Sequence, residues 1–205
     1  MRSTGSLLSV SRRRSEPTIP RSVYWGLMKS SVSGMTPHLD RMAAGGLMLK
    51  GFYAQPVCGV SRAALMTGSY PIRVGEPGNL KRLHTVPHPQ ELTMAEVLKS
   101  AGYATGIIGK WHLCDTDKSA PGGFDRATMP NAQGFDYFYG TPLYNGAVVS
   151  VPDSPFRSPI FRNGEVVVKA VQTWDNITAD YTREAIAYIT ANREKPFFLY
   201  LAHNM

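Results

Sequence analysis

The chain has 205 residues, 43% of them hydrophobic, with two cysteines and a formal net charge of +7. This length and composition fit one folded domain with a sizeable core. Two cysteines are too few for a disulfide framework, and no run of about 20 apolar residues predicts a membrane span. The charge does not favour nucleic-acid binding, because residues 1–30 alone hold six Lys or Arg against one Glu, which is typical of a solvated basic tail.

The N-terminal segment differs from the rest of the chain. Residues 1–33 are rich in Ser and Arg and lack an apolar period, so we interpret them as a disordered or misassigned basic segment. Residues 34–205 are predicted to form one domain. No apolar stretch of useful length follows the N-terminal arginines, so a secretory signal peptide is not visible and the compartment stays open.

Helices and strands alternate along the predicted domain. Thr36 and Pro37 are a helix start, and Thr93 with Glu96 forms the sequence pattern of a capping box. The further predictions, in chain order, are a strand at 47–54, a short helix after Cys58 ending at Thr67-Gly68, a loop at 69–89, a helix ending at Ala101-Gly102, a strand at 103–109, a long surface region at 114–174, a helix at 178–192 and a strand at 196–202. This alternation predicts an α/β fold with a mostly parallel sheet flanked by helices.

Polar side chains gather where the predicted strands end. Lys110 and His112 follow one strand, and the period of two in an extended chain predicts them on the same side. His203 follows the last strand. Open parallel sheets bind ligands beyond the carboxyl ends of their strands, so these residues are candidate site residues. Taken singly, each histidine would more often be a structural or surface residue.

Cys58 lies at a predicted helix start, with Arg62 four residues later. Helix N-termini present unpaired N–H groups and a partial positive charge, which stabilise anions and reacting oxygens. A single cysteine in an apolar context is usually a small buried hydrophobic residue. The surrounding pattern favours a nucleophile instead.

That pattern resembles the sulfatase family signature, Cys-x-Pro-Ser-Arg followed by Leu-x-Thr-Gly. Residues 58–62 and 65–68 match it, except that Val60 stands where the family has proline. Further elements similar to those of sulfatases are Thr36-Pro37-His38-Leu39-Asp40-Arg41, Gly109-Lys110-Trp111-His112-Leu113, Gln133-Gly134-Phe135-Asp136 and Pro196-Phe197-Phe198-Leu199-Tyr200 with His203.

The resemblance implies the N-terminal catalytic part of an arylsulfatase-like sulfuric ester hydrolase, truncated at both ends, within the alkaline-phosphatase-like fold. Cys58 would be oxidised to formylglycine by the formylglycine-generating enzyme. Its hydrate would attack sulfur with one hydroxyl and expel sulfate with the other. Arg62 and Lys110 would neutralise negative charge, and His112 would take a proton. Lys110 and His203 would bind the sulfate, and His203 could also protonate the leaving oxygen.

The same resemblance implies calcium, with formylglycine at position 58 as one ligand and a small-molecule or carbohydrate sulfate ester as substrate. The family's Asp-Asp pair is missing from residues 1–35, and its Asp-Asn pair would lie beyond residue 205, so most metal ligands are expected to be absent. The acidic residues not assigned as ligands are Asp115, Asp117, Asp125 and Asp136.

Two other interpretations of the chain stay open: an inactive remnant of a sulfatase, and a phosphatase or phosphodiesterase of the same superfamily. The second usually has a Ser or Thr nucleophile, which Cys58 disfavours. Family members are often secreted, periplasmic or lysosomal.

Overall fold

A mixed six-stranded sheet forms the centre of the fold. The computed structural model of the chain describes residues 7–11, 23–25, 36–49, 52–74, 87–88, 90–117, 119–120, 123–143, 158–168, 173 and 175–203. The strands are β1 (Leu7–Ser11), β2 (Val23–Trp25), β3 (Leu47–Leu49), β4 (Ala104–Lys110), β5 (Tyr137–Thr141), β6 (Ile160–Arg162), β7 (Glu165–Val168) and β8 (Phe197–Ala202). The helices are α1 (Pro37–Ala44), α2 (Cys58–Thr67), α3 (Pro71–Val74), α4 (Met94–Ser100) and α5 (Ile177–Asn192).

The strand order of the large sheet is β1-β8-β4-β5-β6-β7. Strands β8, β4 and β5 are parallel, whereas β1 pairs antiparallel with β8, and β6 and β7 continue antiparallel from β5. A separate parallel pair joins β2 to β3. The predicted α/β fold with flanking helices is confirmed, and the parallel part of its main sheet is the central three strands.

Helices cover both faces of this sheet. One face packs Ile107, Phe138 and Phe198 against α2 and α4 through Ala63 and Ala95. The other face packs against α5, through a second cluster that includes Ile108, Tyr139, Leu199, Tyr181 and Tyr188. Strand β4 is buried on both faces, which explains why its sequence is continuously apolar rather than alternating.

Local sequence signals set several element ends. Thr93 and Glu96 form the predicted capping box: the Thr93 hydroxyl accepts from the Glu96 N–H at 3.2 Å, and the Thr93 N–H donates to the Glu96 carboxylate at 2.7 Å. The same hydroxyl donates to the Gln133 carbonyl at 2.8 Å. Thr36 occupies the N-cap position of α1 without a side-chain cap hydrogen bond. Gly68 ends α2 in the left-handed conformation, as expected of a glycine C-cap.

Three sequence predictions differ from the structure. Of the strand predicted at 47–54, Leu47–Leu49 is extended and paired, whereas the described residues 52–54 are not in a strand. The region 114–174 contains β5, β6 and β7 rather than only surface loops, because short strands of three to five residues carry too few side chains to show a period. The predicted loop at 69–89 contains the short helix α3.

The N-terminal segment contains β1 and β2. The rest of residues 1–33, like Asn204 and Met205, lies outside the described residues, and the division of the chain at residue 33 stays a prediction. In the described part of the chain, no helix is long and apolar enough to cross a membrane.

Candidate active site

Cys58 is the first residue of α2, and its side chain is partly buried. The preceding residue, Val57, is extended, and its carbonyl accepts the first helical hydrogen bond from the Ser61 N–H at 3.0 Å. The Ser61 hydroxyl donates to the Gln55 carbonyl at 2.8 Å, which holds the entering chain against the first turn. The N–H groups of residues 58–60 therefore precede the first intrahelical bond and form the electropositive end of the helix.

Arg62 lies one turn further along α2 and is only 4% exposed. Its Nη1 donates to the Tyr200 hydroxyl at 3.0 Å and to the carbonyl of Lys110. The guanidinium also lies 5.8 Å from the centre of the Tyr200 ring. These contacts hold the buried cation and connect α2 to the end of β4 and to the middle of β8.

Lys110 is the last residue of β4, and its side chain contacts Cys58. Burial, together with the nearby Arg62 cation, lowers the pKa of Lys110 from its usual 10.5, while a hydrogen bond with Cys58 acts in the opposite direction. Two cations and a sulfur atom thus share one partly buried space. Such a space favours an anion, because it brings compensating negative charge to both cations.

His112 contacts Cys58 directly, with 3.1 Å between its Nδ1 and the Cys58 Sγ. Its side chain is buried, its φ is 63°, and its N–H donates to the Pro142 carbonyl at 2.8 Å. The chain therefore leaves the extended conformation after Lys110. The alternation that predicted Lys110 and His112 on one side does not extend to His112, although both side chains do reach Cys58.

His203 follows β8 at the same edge of the sheet, next to the Gly109–Ala202 pair of β4 and β8. Its ring packs against Tyr181 of α5, with 6.1 Å between ring centres. Burial lowers the pKa of His203 from 6.5, and its buried Nδ1 has no hydrogen-bond partner among the described residues. The structure thus brings Lys110 and His112 into contact with Cys58, places Arg62 against the Lys110 carbonyl, and places His203 against α5.

Two tyrosines at this edge were not identified from sequence. Tyr200 binds Arg62, and Tyr181 reaches from α5 to a side-chain hydrogen bond with Thr141. Burial raises the pKa of Tyr181 far above its usual value. The sequence signal that could have identified them is a tyrosine inside an apolar segment, because a buried tyrosine hydroxyl needs a polar partner.

The described residues do not fit a calcium site. No group of three or more His, Cys, Asp or Glu side chains among them could hold a metal ion, whereas calcium needs six or more oxygen ligands. Asp136 instead pairs with Lys99 at 2.7 Å and accepts hydrogen bonds from Thr105. Asp125 caps the helical turn at residues 126–128. Both acidic residues thus have structural contacts.

The fold and the edge site define an α/β protein with a cysteine, a histidine and two cations at the carboxyl end of its parallel strands. The sulfatase family model matches residues 20–204, and the chain belongs to the sulfatase family. It is 36% identical over 188 residues to the N-acetylgalactosamine-6-sulfatase of Sus scrofa and 37% identical over 177 residues to the arylsulfatase of Hemicentrotus pulcherrimus. These alignments cover 82% and 80% of this chain but only 34% and 31% of the relatives.

Solved structures show the same fold. The PsFucS1 sulfatase from Pseudoalteromonas sp. matches with a TM-score of 0.61 and 26% identity, covering 82% of this chain and 38% of that chain. A structure described for glycosaminoglycan metabolism in Bacteroides thetaiotaomicron matches with a TM-score of 0.64 and 25% identity, covering 81% of this chain and 45% of that chain. The chain therefore has the alkaline-phosphatase-like fold of sulfatases over part of their length.

Proposed function

We propose that this chain carries the nucleophile end of a sulfuric ester hydrolase site, in which Cys58 is the precursor of formylglycine. One observation carries the proposal: at the start of α2, the Cys58 Sγ lies 3.1 Å from His112 Nδ1 and contacts Lys110. In a member of the sulfatase family, this arrangement supports a catalytic role for Cys58 rather than the role of a buried structural thiol. Cys114 is such a thiol, being fully buried and bonded to the Pro142 carbonyl.

The two cations are proposed to bind and orient the sulfate group. Arg62 is fixed by Tyr200 and by the Lys110 carbonyl, so its charge is held in place beside the first turn of α2. Lys110 provides a second charge at the end of β4. Preorganised donors of this kind cost little reorganisation when an anionic substrate arrives.

Formylglycine, once formed and hydrated, supplies one hydroxyl for attack on sulfur and a second whose deprotonation releases sulfate. His112 is proposed as the base for that deprotonation, because its Nδ1 contacts the atom at position 58 that oxygen replaces. His203 is proposed to contact the sulfate or the leaving oxygen, and the support for this is its position directly after Ala202, beside the end of β4.

The proposed substrates are sulfate esters of carbohydrates or small molecules, the classes to which the names of the two relatives point. The proposed partner is the formylglycine-generating enzyme. Calcium remains the expected metal of the family, but the described residues do not supply its ligands. That observation favours a second candidate, a site that binds sulfate yet does not turn over, as in an inactive remnant.

One experiment separates these candidates. The purified chain, co-expressed with the modifying enzyme, is assayed with calcium and a chromogenic aryl sulfate beside Cys58→Ala. In parallel, sulfate is tested for protection of the unmodified Cys58 thiol against iodoacetamide. We expect protection by sulfate in the unmodified chain, and protection without turnover above the control would support the non-hydrolysing site. Turnover above the control would establish the hydrolase and show that other residues hold the metal. If the chain shows no turnover and sulfate gives no protection, the proposal is overturned.

A further inference from the structure

Tyr200 binds the buried cation of the site although it lies in the middle of an apolar strand. Its side chain is fully buried in β8, and its hydroxyl accepts a hydrogen bond from Arg62 Nη1 at 3.0 Å. The same nitrogen donates to the carbonyl of Lys110. Because Nη1 carries two N–H groups, these two acceptors match its full donor capacity.

Both acceptors belong to rigid parts of the fold. The Lys110 carbonyl is part of the β4 backbone, which pairs with β5 at Thr141. Tyr200 pairs with Ile107 across β8 and β4, and its ring belongs to the same core cluster as Met66 of α2. A close-packed ring of this kind cannot swing away from its partner without disturbing the core. The guanidinium is therefore held between two fixed oxygens.

Arg62 is four residues after Cys58 on α2, and residues four apart share a helix face. Arg62 also lies close enough to Lys110 to lower the pKa of that lysine. The two oxygens that fix the guanidinium thus fix its charge relative to both Cys58 and Lys110.

We propose that Tyr200 is a positioning residue that holds the Arg62 guanidinium beside Cys58, so that the positive charge acts at residue 58. Any role of Tyr200 in sulfate ester hydrolysis rests on the proposed function. The positioning of Arg62 by Tyr200 does not depend on that function. The competing explanation is that Tyr200 only fills the core. Phenylalanine would fill the same space without the acceptor oxygen, so Tyr200→Phe separates the two explanations.

The experiment measures the alkylation rate of the unmodified Cys58 thiol in the 205-residue chain with two reagents of similar size. Iodoacetate is an anion and iodoacetamide is neutral, so the ratio of their rates reports the electrostatic potential at residue 58. A change in exposure or in local mobility alters both rates alike and leaves the ratio unchanged. The mass of the labelled peptide assigns the label to Cys58. Cys114 is fully buried and should react slowly with both reagents.

In the unsubstituted chain we expect the ratio to exceed that of a free cysteine peptide, and in Arg62→Gln to fall toward the peptide. Tyr200→Phe should lower the ratio roughly threefold or more, because the charge loses a fixed place near the sulfur. Tyr188→Phe is the matched control: the Tyr188 hydroxyl is buried without a hydrogen-bond partner among the described residues, and its ring packs from α5 against Tyr137 of β5 and Phe197 of β8.

The outcomes are distinct. A lowered ratio in Tyr200→Phe with an unchanged ratio in Tyr188→Phe supports the positioning role. An unchanged ratio in Tyr200→Phe beside a lowered one in Arg62→Gln overturns it and leaves Tyr200 a core residue. If the unsubstituted chain shows no preference for iodoacetate, the charge at residue 58 is absent, and the anion-binding part of the proposed function fails as well.

Discussion

The Sγ of Cys58 lies 3.1 Å from the Nδ1 of His112, although 54 residues separate them in the chain. Two independent parts of the fold bring them together. Helix α2 packs on the sheet through Ala63 and Met66, and His112 is held by its N–H bond to the Pro142 carbonyl. The contact therefore depends on the packing of α2 and on the pairing of β4 with its neighbours.

Gly109 makes that pairing possible, so Gly109→Ala should strongly destabilise the fold. Gly109 has a φ of +113°, and a Cβ there would lie 2.0 Å from the Ala202 carbonyl oxygen. We expect the free energy of unfolding to fall by about 3 kcal/mol or more, measured by urea denaturation. Gly102→Ala is the control, because Gly102 also has a positive φ but its Cβ would meet nothing within 4 Å. A loss of about 1 kcal/mol is expected there, and equal losses would refute the close-packing argument.

Lys110→Met should weaken the protection of Cys58 by sulfate. The substitution keeps an unbranched side chain but removes a cation that contacts Cys58. We expect the sulfate concentration for half protection from iodoacetamide to rise about tenfold, the usual effect of losing one charge-assisted contact. Lys99→Met is the control, since Lys99 pairs with Asp136 on the surface. An equal shift in both variants would mean that sulfate acts through general charge rather than at this site.

His203 should make stability depend on pH below neutrality. Its folded pKa is lowered from 6.5 by burial, so the unfolded chain takes up a proton first as the pH falls. The free energy of unfolding is then unaffected above 6.5 and decreases as the pH falls through the folded pKa. His203→Asn should flatten the pH dependence below pH 6.5, measured by urea denaturation at each pH. A slope in His203→Asn identical to that of the unsubstituted chain would contradict the burial argument.

Much of the fold follows from local sequence signals. The capping box at Thr93 correctly predicted the start of α4, and Gly68 correctly predicted the end of α2. The apolar segments that became β4 and β8 are long enough to be recognised without alternation. Their polar C-terminal neighbours then predicted where the candidate site residues would gather.

Other features depend on contacts between distant residues. Strand β5 is five residues long and pairs with β4 through Gly140 and Gly109, and nothing in a short aromatic and glycine-containing segment distinguishes it from a loop. The positive φ of His112 is supported by the Pro142 carbonyl, 30 residues later. The contact of Tyr200 with Arg62 spans 138 residues. Such relationships require the three-dimensional packing.

Val60 is the position where this chain departs from the family signature. It is the third residue of α2, so its N–H precedes the first helical hydrogen bond, which Ser61 donates to Val57. Proline is tolerated in the first turn of a helix because no intrahelical bond is lost there. Val60→Pro should therefore fold normally. It would restore the Cys-x-Pro-Ser-Arg motif, which the family resemblance implies is the sequence that the modifying enzyme recognises.

The central claim, that Cys58 occupies the position of a formylglycine precursor, is tested most directly by the mass of the peptide containing residue 58 after co-expression with the formylglycine-generating enzyme. We predict little or no aldehyde in the unsubstituted chain, predominant aldehyde in Val60→Pro, and none in Cys58→Ala. Near-complete aldehyde in the unsubstituted chain would show that proline is dispensable here. A Cys58 that stays a thiol even in folded Val60→Pro would contradict the claim.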